Sequence, residues 1–167
     1  QEDKGLYFIN PLGKEQNKPQ QIWTQGETDF NSCWFPTVDT PNEKMTQDIQ
    51  LTVENQFKTL SNGALVSSKI NPDSTRTDHW VQSKTHSPYL AMIAVGDFAI
   101  ENDTLPNGLV LGYYVEPAYK NYAKSILSPF LRYTRAFFTA DCVPFRPRTK
   151  TFFAGRLITR TFVGVTL

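Results

Sequence analysis

The sequence predicts a mainly β fold: an antiparallel, saddle-like β-sandwich followed by a short helical and irregular C-terminal segment. Three observations predict it. Short apolar or alternating runs recur through the first 115 or so residues, turn residues separate them every 8 to 15 positions, and no helical periodicity precedes about residue 116.

The elements follow in order. Gly5-Leu6-Tyr7-Phe8-Ile9 reads as a strand stopped by Asn10-Pro11, and Gln21-Ile22-Trp23-Thr24-Gln25 as a second after a polar loop from Lys14 to Gln20. Cys33-Trp34-Phe35-Pro36 is apolar but broken by proline, which suits a strand end or a bend. Thr46 to Val53 alternates, with Ile49, Leu51 and Val53 on one face and Asp48, Gln50 and Thr52 on the other. Leu60-Ser61-Asn62-Gly63 reads as a turn, Ala64 to Ser68 as the next strand, and Asn71-Pro72-Asp73 as another turn. His79 to Thr85 is a further strand, and Tyr89 to Ile100 is apolar enough for a single central one. From Pro117, Tyr119, Tyr122, Ala123 and Ile126 fall at helical spacing.

Composition narrows the function. Hydrophobic residues make up 40%, including twelve Phe, so a core can be buried. The net charge of +1 points to neither nucleic acid nor an acidic substrate. No apolar run reaches the length of about 18 residues that a membrane helix needs. Gln1 stands where a start methionine would, which reads as a chain trimmed, processed or cut from a longer one. Cys33 and Cys142 form no metal or redox motif and read as unpaired thiols, with Cys33 expected to be buried.

The charge is unevenly spread. Through Leu127 there are nine Lys and one Arg against fifteen acidic residues; from Ser128 there are six Arg, Lys150 and a single acid, Asp141. Three explanations compete. Arg146, Arg148, Lys150, Arg156 and Arg160 could form a basic arm for nucleic acid. The segment could be an ordinary domain portion whose acidic partners lie further along, or a stretch translated out of frame. Thr151-Phe152-Phe153 and Leu157-Ile158 look like strands rather than base-stacking aromatics, which argues against the arm.

Catalytic machinery is hard to find. His79 and His86 are seven apart in a predicted strand, on opposite faces and at the sheet edge, and so hold no shared metal. No G-x-S-x-G elbow and no phosphate-binding glycine loop occurs. Thr24-Gln25-Gly26-Glu27 is different. Gln25 and Glu27, two apart on an extended segment, project from one face, and an amide oxygen beside a carboxylate suits an ammonium group. A solvated strand-end pair is the plainer alternative.

Several runs carry a resemblance. Thr24-Gln25-Gly26-Glu27, Trp34-Phe35-Pro36, Asp39-Thr40-Pro41-Asn42-Glu43-Lys44-Met45-Thr46, Leu60-Ser61-Asn62-Gly63, Ser87-Pro88-Tyr89-Leu90 and Ala94-Val95-Gly96-Asp97-Phe98 together resemble the N-terminal domain of the aminopeptidase N family, the gluzincin zinc metallopeptidases. Order and spacing agree from residue 5 to about 127. Locally, the Asp39 carboxylate can bond backbone N–H groups while Pro41 fixes a bend.

The resemblance implies a β-domain over 1–112 and a truncated or divergent approach to the catalytic domain over 113–167. It implies that Gln25 and Glu27 bind the free N-terminal amine of a peptide substrate, that zinc belongs to the intact enzyme, and that the chain's own catalytic domain is its partner. It favours an exported protein of the periplasm or cell envelope. The family's G-x-M-E-N and H-E-x-x-H do not appear before Leu167, so this chain is expected to carry no catalytic residue, no metal ligand and no activity alone. The alternative is a non-catalytic β-sandwich binding module with a basic C-terminal arm.

Overall fold

The structure is a computed structural model that describes residues 5–104, 110–125, 152–155 and 162–165. It is mainly β with antiparallel sheets, as the sequence predicts, and divides into two units between Asp97 and Phe98.

The first unit holds two sheets. One runs β1 (Gly5–Ile9), β2 (Gln21–Gln25), β7 (Ile93–Gly96) and β4 (Lys58–Ser61), in that spatial order. The other places β6 (Thr75–His86) between β3 (Met45–Glu54) and β5 (Ala64–Ile70). In β3 the predicted alternation holds: Ile49, Leu51 and Val53 are partly covered while Asp48, Gln50 and Thr52 face solvent.

Leu60, Trp80, Ala91, Met92, Ala94 and Val95 are buried and form the core of this unit. Burying side chains as large as Leu60 and Trp80 is worth roughly 2–3 kcal/mol each. A polar seam joins the two sheets within that core. Trp80 Nε1 donates to Thr59 Oγ1 at 3.0 Å, Thr59 Oγ1 donates to Asp78 Oδ2 at 2.6 Å, and Gln47 Nε2 donates to Ser61 Oγ at 2.9 Å. These bonds satisfy groups that would otherwise be costly to bury.

Several expectations change. Leu60 and Ser61 belong to β4, and the turn is Asn62-Gly63 alone, which carries the chain from one sheet to the other. Gly63 has φ +86°, and a Cβ there would sit 2.1 Å from the Val81 carbonyl oxygen, so glycine is required. The apolar run from Tyr89 to Ile100 is three pieces, a 3₁₀ turn at Pro88–Leu90, then β7, then β8 (Ala99–Thr104), because Pro88 and Gly96-Asp97 interrupt it. Its middle piece is indeed central, between β2 and β4. Both histidines lie on β6, which is the central strand of its sheet and not an edge.

In the second unit β8 pairs with β9 (Val110–Val115), and Phe98 meets Tyr114 edge-on with centroids 6.4 Å apart. Tyr113 and Val115 are fully buried. The predicted helix begins as a 3₁₀ turn, Pro117–Tyr122, leaving Tyr119 and Tyr122 exposed and Ala123 buried. The segment at Phe152–Gly155 is strand β10, paired with β11 (Phe162–Val165). Ile126, Leu157-Ile158, Cys142 and the five basic residues of the proposed arm lie outside the described residues.

Candidate functional site

The segment Thr24-Gln25-Gly26-Glu27 leaves the end of β2. There β1 pairs Gly5 with Gln25 and Leu6 with Thr24, while β7 pairs only as far as Trp23 with Ala94. Thr24 continues the β7 side with its side chain: Oγ1 accepts the Ile93 N–H at 3.0 Å and donates to the Ile93 carbonyl at 3.4 Å. Gly5, at φ +81°, comes so close that a Cβ would meet the Phe30 carbonyl oxygen at 2.8 Å.

Thr24 and Gly26 are buried, whereas Gln25 and Glu27 are exposed. The two predicted site residues therefore stand on the solvent side of a segment whose inner positions are packed. The Glu27–Thr28 peptide bond is cis. Phe30 N–H bonds back to the Gly26 carbonyl at 3.0 Å and closes the loop.

Asn31 anchors that loop from below. It is fully buried, its Nδ2 donates to the carbonyls of Pro88 and, at 2.9 Å, Ala91, and its Oδ1 accepts Trp34 Nε1 at 2.7 Å. Each such bond contributes on the order of 1 kcal/mol, and orphaning a buried group costs about 1–3 kcal/mol.

The remaining signature residues close on the same neighbourhood. Asp39 Oδ2 accepts the Ser32 N–H at 2.9 Å, as its turn position predicts. Lys44 Nζ reaches the Pro41 carbonyl at 2.9 Å and the Ser87 hydroxyl, which itself donates to Pro41 at 2.8 Å. Asn62 Nδ2 donates to Leu90 O at 2.9 Å and its Oδ1 accepts Met92 N–H at 2.7 Å, while Ser61 Oγ donates to Met92 O at 2.8 Å. Thr24, Asn31, Lys44, Ser61 and Asn62 thus satisfy the backbone or side chains of residues 87–93. Motifs far apart in sequence are one clasp in space.

The charge along this stretch of the sequence is one-sided. Residues 19–43 contain Glu27, Asp29, Asp39 and Glu43 and no Lys or Arg. Glu27 and Asp29 are both exposed. Such a surface attracts cations and repels anions.

Residues 1–90 match the profile of the Peptidase M1 N-terminal domain, more than half of the chain. The chain belongs to the M1 aminopeptidase family. It is 30% identical over 121 residues to the puromycin-sensitive aminopeptidase of Caenorhabditis elegans, covering 71% of this chain and 13% of that protein. Aminopeptidase N of Lactobacillus helveticus is 28% identical over 106 residues, and glutamyl aminopeptidase of Mus musculus 29% over 110, each across 64% of this chain and 12% of the relative. The M1 chain described here therefore spans about an eighth of the length of these relatives.

The two histidines are engaged in local bonds. His79 Nε2 pairs with Asp48 Oδ1 at 2.7 Å, and His86 Nδ1 bonds the Ser87 carbonyl at 3.0 Å. Among the described residues no three His, Cys, Asp or Glu side chains are placed to hold a metal, so they do not fit a zinc site. Cys33 is exposed rather than buried, because the 3₁₀ turn Asn31–Cys33 turns Asn31 inward and Cys33 outward. No described helix is long and apolar enough to cross a membrane.

Asn31 escaped the reading of the sequence. An asparagine in a polar turn looks the same whether it is solvated or buried, and its proximity to the Trp34-Phe35-Pro36 signature was the single available cue.

Proposed function

We propose that this M1 domain is the substrate-binding N-terminal β-domain of a zinc-dependent aminopeptidase, with Gln25 and Glu27 receiving the free N-terminal amine of a peptide. The observation that carries the proposal is the alternation of buried Thr24 and Gly26 with exposed Gln25 and Glu27. An ammonium group seeks several acceptors and one compensating charge. Gln25 Oε1 and the Glu27 carboxylate offer both, on a stretch, residues 19–43, that contains no Lys or Arg. Binding the amine there would restrict cleavage to the first residue of a peptide.

Zinc, in this proposal, belongs to the catalytic domain of the longer enzyme, which is this domain's partner, and the described residues contribute binding alone. In the same reading, residues 1–112 are the family's N-terminal β-domain and residues 113–167 a truncated or divergent approach to the catalytic domain.

The test is a titration of the chain with a tripeptide bearing a free N-terminus and with its N-acetylated counterpart, followed by NMR at Gln25 and Glu27. The free amine is expected to shift both residues saturably, and the acetylated peptide at least tenfold more weakly. Equal responses would remove the amine from the reading and favour a plain β-sandwich binding module.

A further inference from the structure

The three nearest atoms to a Cβ built on Gly26 all belong to Asn31: Oδ1 at 2.2 Å, Cγ at 2.3 Å and Nδ2 at 2.5 Å. The Asn31 carboxamide therefore lies against the bare backbone of the residue between Gln25 and Glu27. Its two amide hydrogens are spent on the Pro88 and Ala91 carbonyls, and its oxygen is spent on Trp34. With all its bonds directed elsewhere, the side chain is fixed in place and acts as a floor for Gly26.

We infer that Asn31 is a positioning residue, which sets the depth of Gly26 and thereby the placement of Gln25 and Glu27 on either side. Gly26 is its size-matched counterpart. At this position glycine is required by the close approach of Asn31, since its φ lies outside the left-handed region. Loop and floor specify one another. Any larger residue at 26 lifts the loop, and any loss of the carboxamide lets it sink.

The inference rests on the amine-binding reading for its functional meaning, but its geometry is tested independently. In the chain of residues 1–167, Asn31→Ala and Gly26→Ala are compared with the wild type by backbone amide shifts and hydrogen exchange. Both variants are expected to shift the amides of Gln25 to Asp29 and to speed their exchange at least tenfold, with the amides of β3, β5 and β6 unmoved. A merely stabilising residue would lower protection across both sheets together. Gly26→Ala keeps every Asn31 hydrogen bond partner, so it carries the test if Asn31→Ala does not fold.

The same free-amine tripeptide is then titrated, and its affinity is expected to fall at least fivefold in each variant. Loop amides that stay in place in both variants overturn the inference. So does a tripeptide that binds both variants as tightly as the wild type. A wild-type chain that ignores the tripeptide, with loop amides moved in the variants, retires the amine reading and upholds Asn31 as the residue that positions the loop.

Discussion

Arg76 grips Asp78 along one face of β6, with Nε 2.9 Å from Oδ1 and Nη2 3.0 Å from Oδ2. Both side chains are largely covered, and Thr59 and Ser68 complete the carboxylate's bonding from β4 and β5. Arg76 also donates to the carbonyls of Asn55 and Phe57, so one guanidinium ties the start of β4 to the other sheet. Replacing Asp78 by Asn leaves a covered guanidinium without its counter-charge. A loss of about 3 kcal/mol is expected in urea unfolding, since breaking a buried pair costs roughly that much.

The pH dependence follows from two groups. Burial pushes the Asp78 carboxyl up, but bonds from Arg76, Ser68 and Thr59 and the Arg76 charge outweigh it and hold it below the ordinary carboxylate range. Burial also pushes the His86 imidazole down, the Ser87 carbonyl opposes this, and the Lys44 charge adds to it. Both folded values are depressed, so both contributions are present above the unfolded value and are lost as pH falls through the folded one. Thermal unfolding is expected to show one acid-side loss below about pH 6.5 and a second below about pH 4. His86→Gln should abolish the first and leave the second.

Gly63→Ala places a Cβ against the Val81 carbonyl at a left-handed φ. The chain passes from β4 to β5 here, so the strain cannot spread along a flexible loop. A loss of about 2 kcal/mol or more is expected in the midpoint of chemical denaturation.

Gln25→Ala and Glu27→Gln should behave in the opposite way. Both side chains are exposed, and the packing of the loop rests on Thr24, Gly26 and Asn31. Stability within about 0.5 kcal/mol of the wild type is expected from the same denaturation curves. A larger loss in either variant would mark the pair as structural.

Much of this was legible in the sequence, for identifiable reasons. β1, β2 and β3 declare themselves by short apolar or alternating runs between Pro, Gly and Asn. β4 was not legible, because Leu60-Ser61 runs straight into Asn62-Gly63 and the turn signal masks the strand end. The run from Tyr89 to Ile100 looked continuous because apolarity does not record where a chain switches partners. The shared exposure of Gln25 and Glu27 was legible because period-two spacing gives a face directly. Asn31 was not, since the carbonyls it serves lie 57 and 60 residues away and exist as partners only in the fold.

The most direct measurement joins residues 1 to about 115 to a homologous M1 catalytic domain and compares kcat/KM for an aminoacyl substrate with and without Glu27→Ala. A loss of about tenfold or more, at least ~1.4 kcal/mol, is predicted if Glu27 holds the substrate amine. An active chimera with unchanged kcat/KM would contradict it and return Glu27 to a solvated residue at the end of a strand.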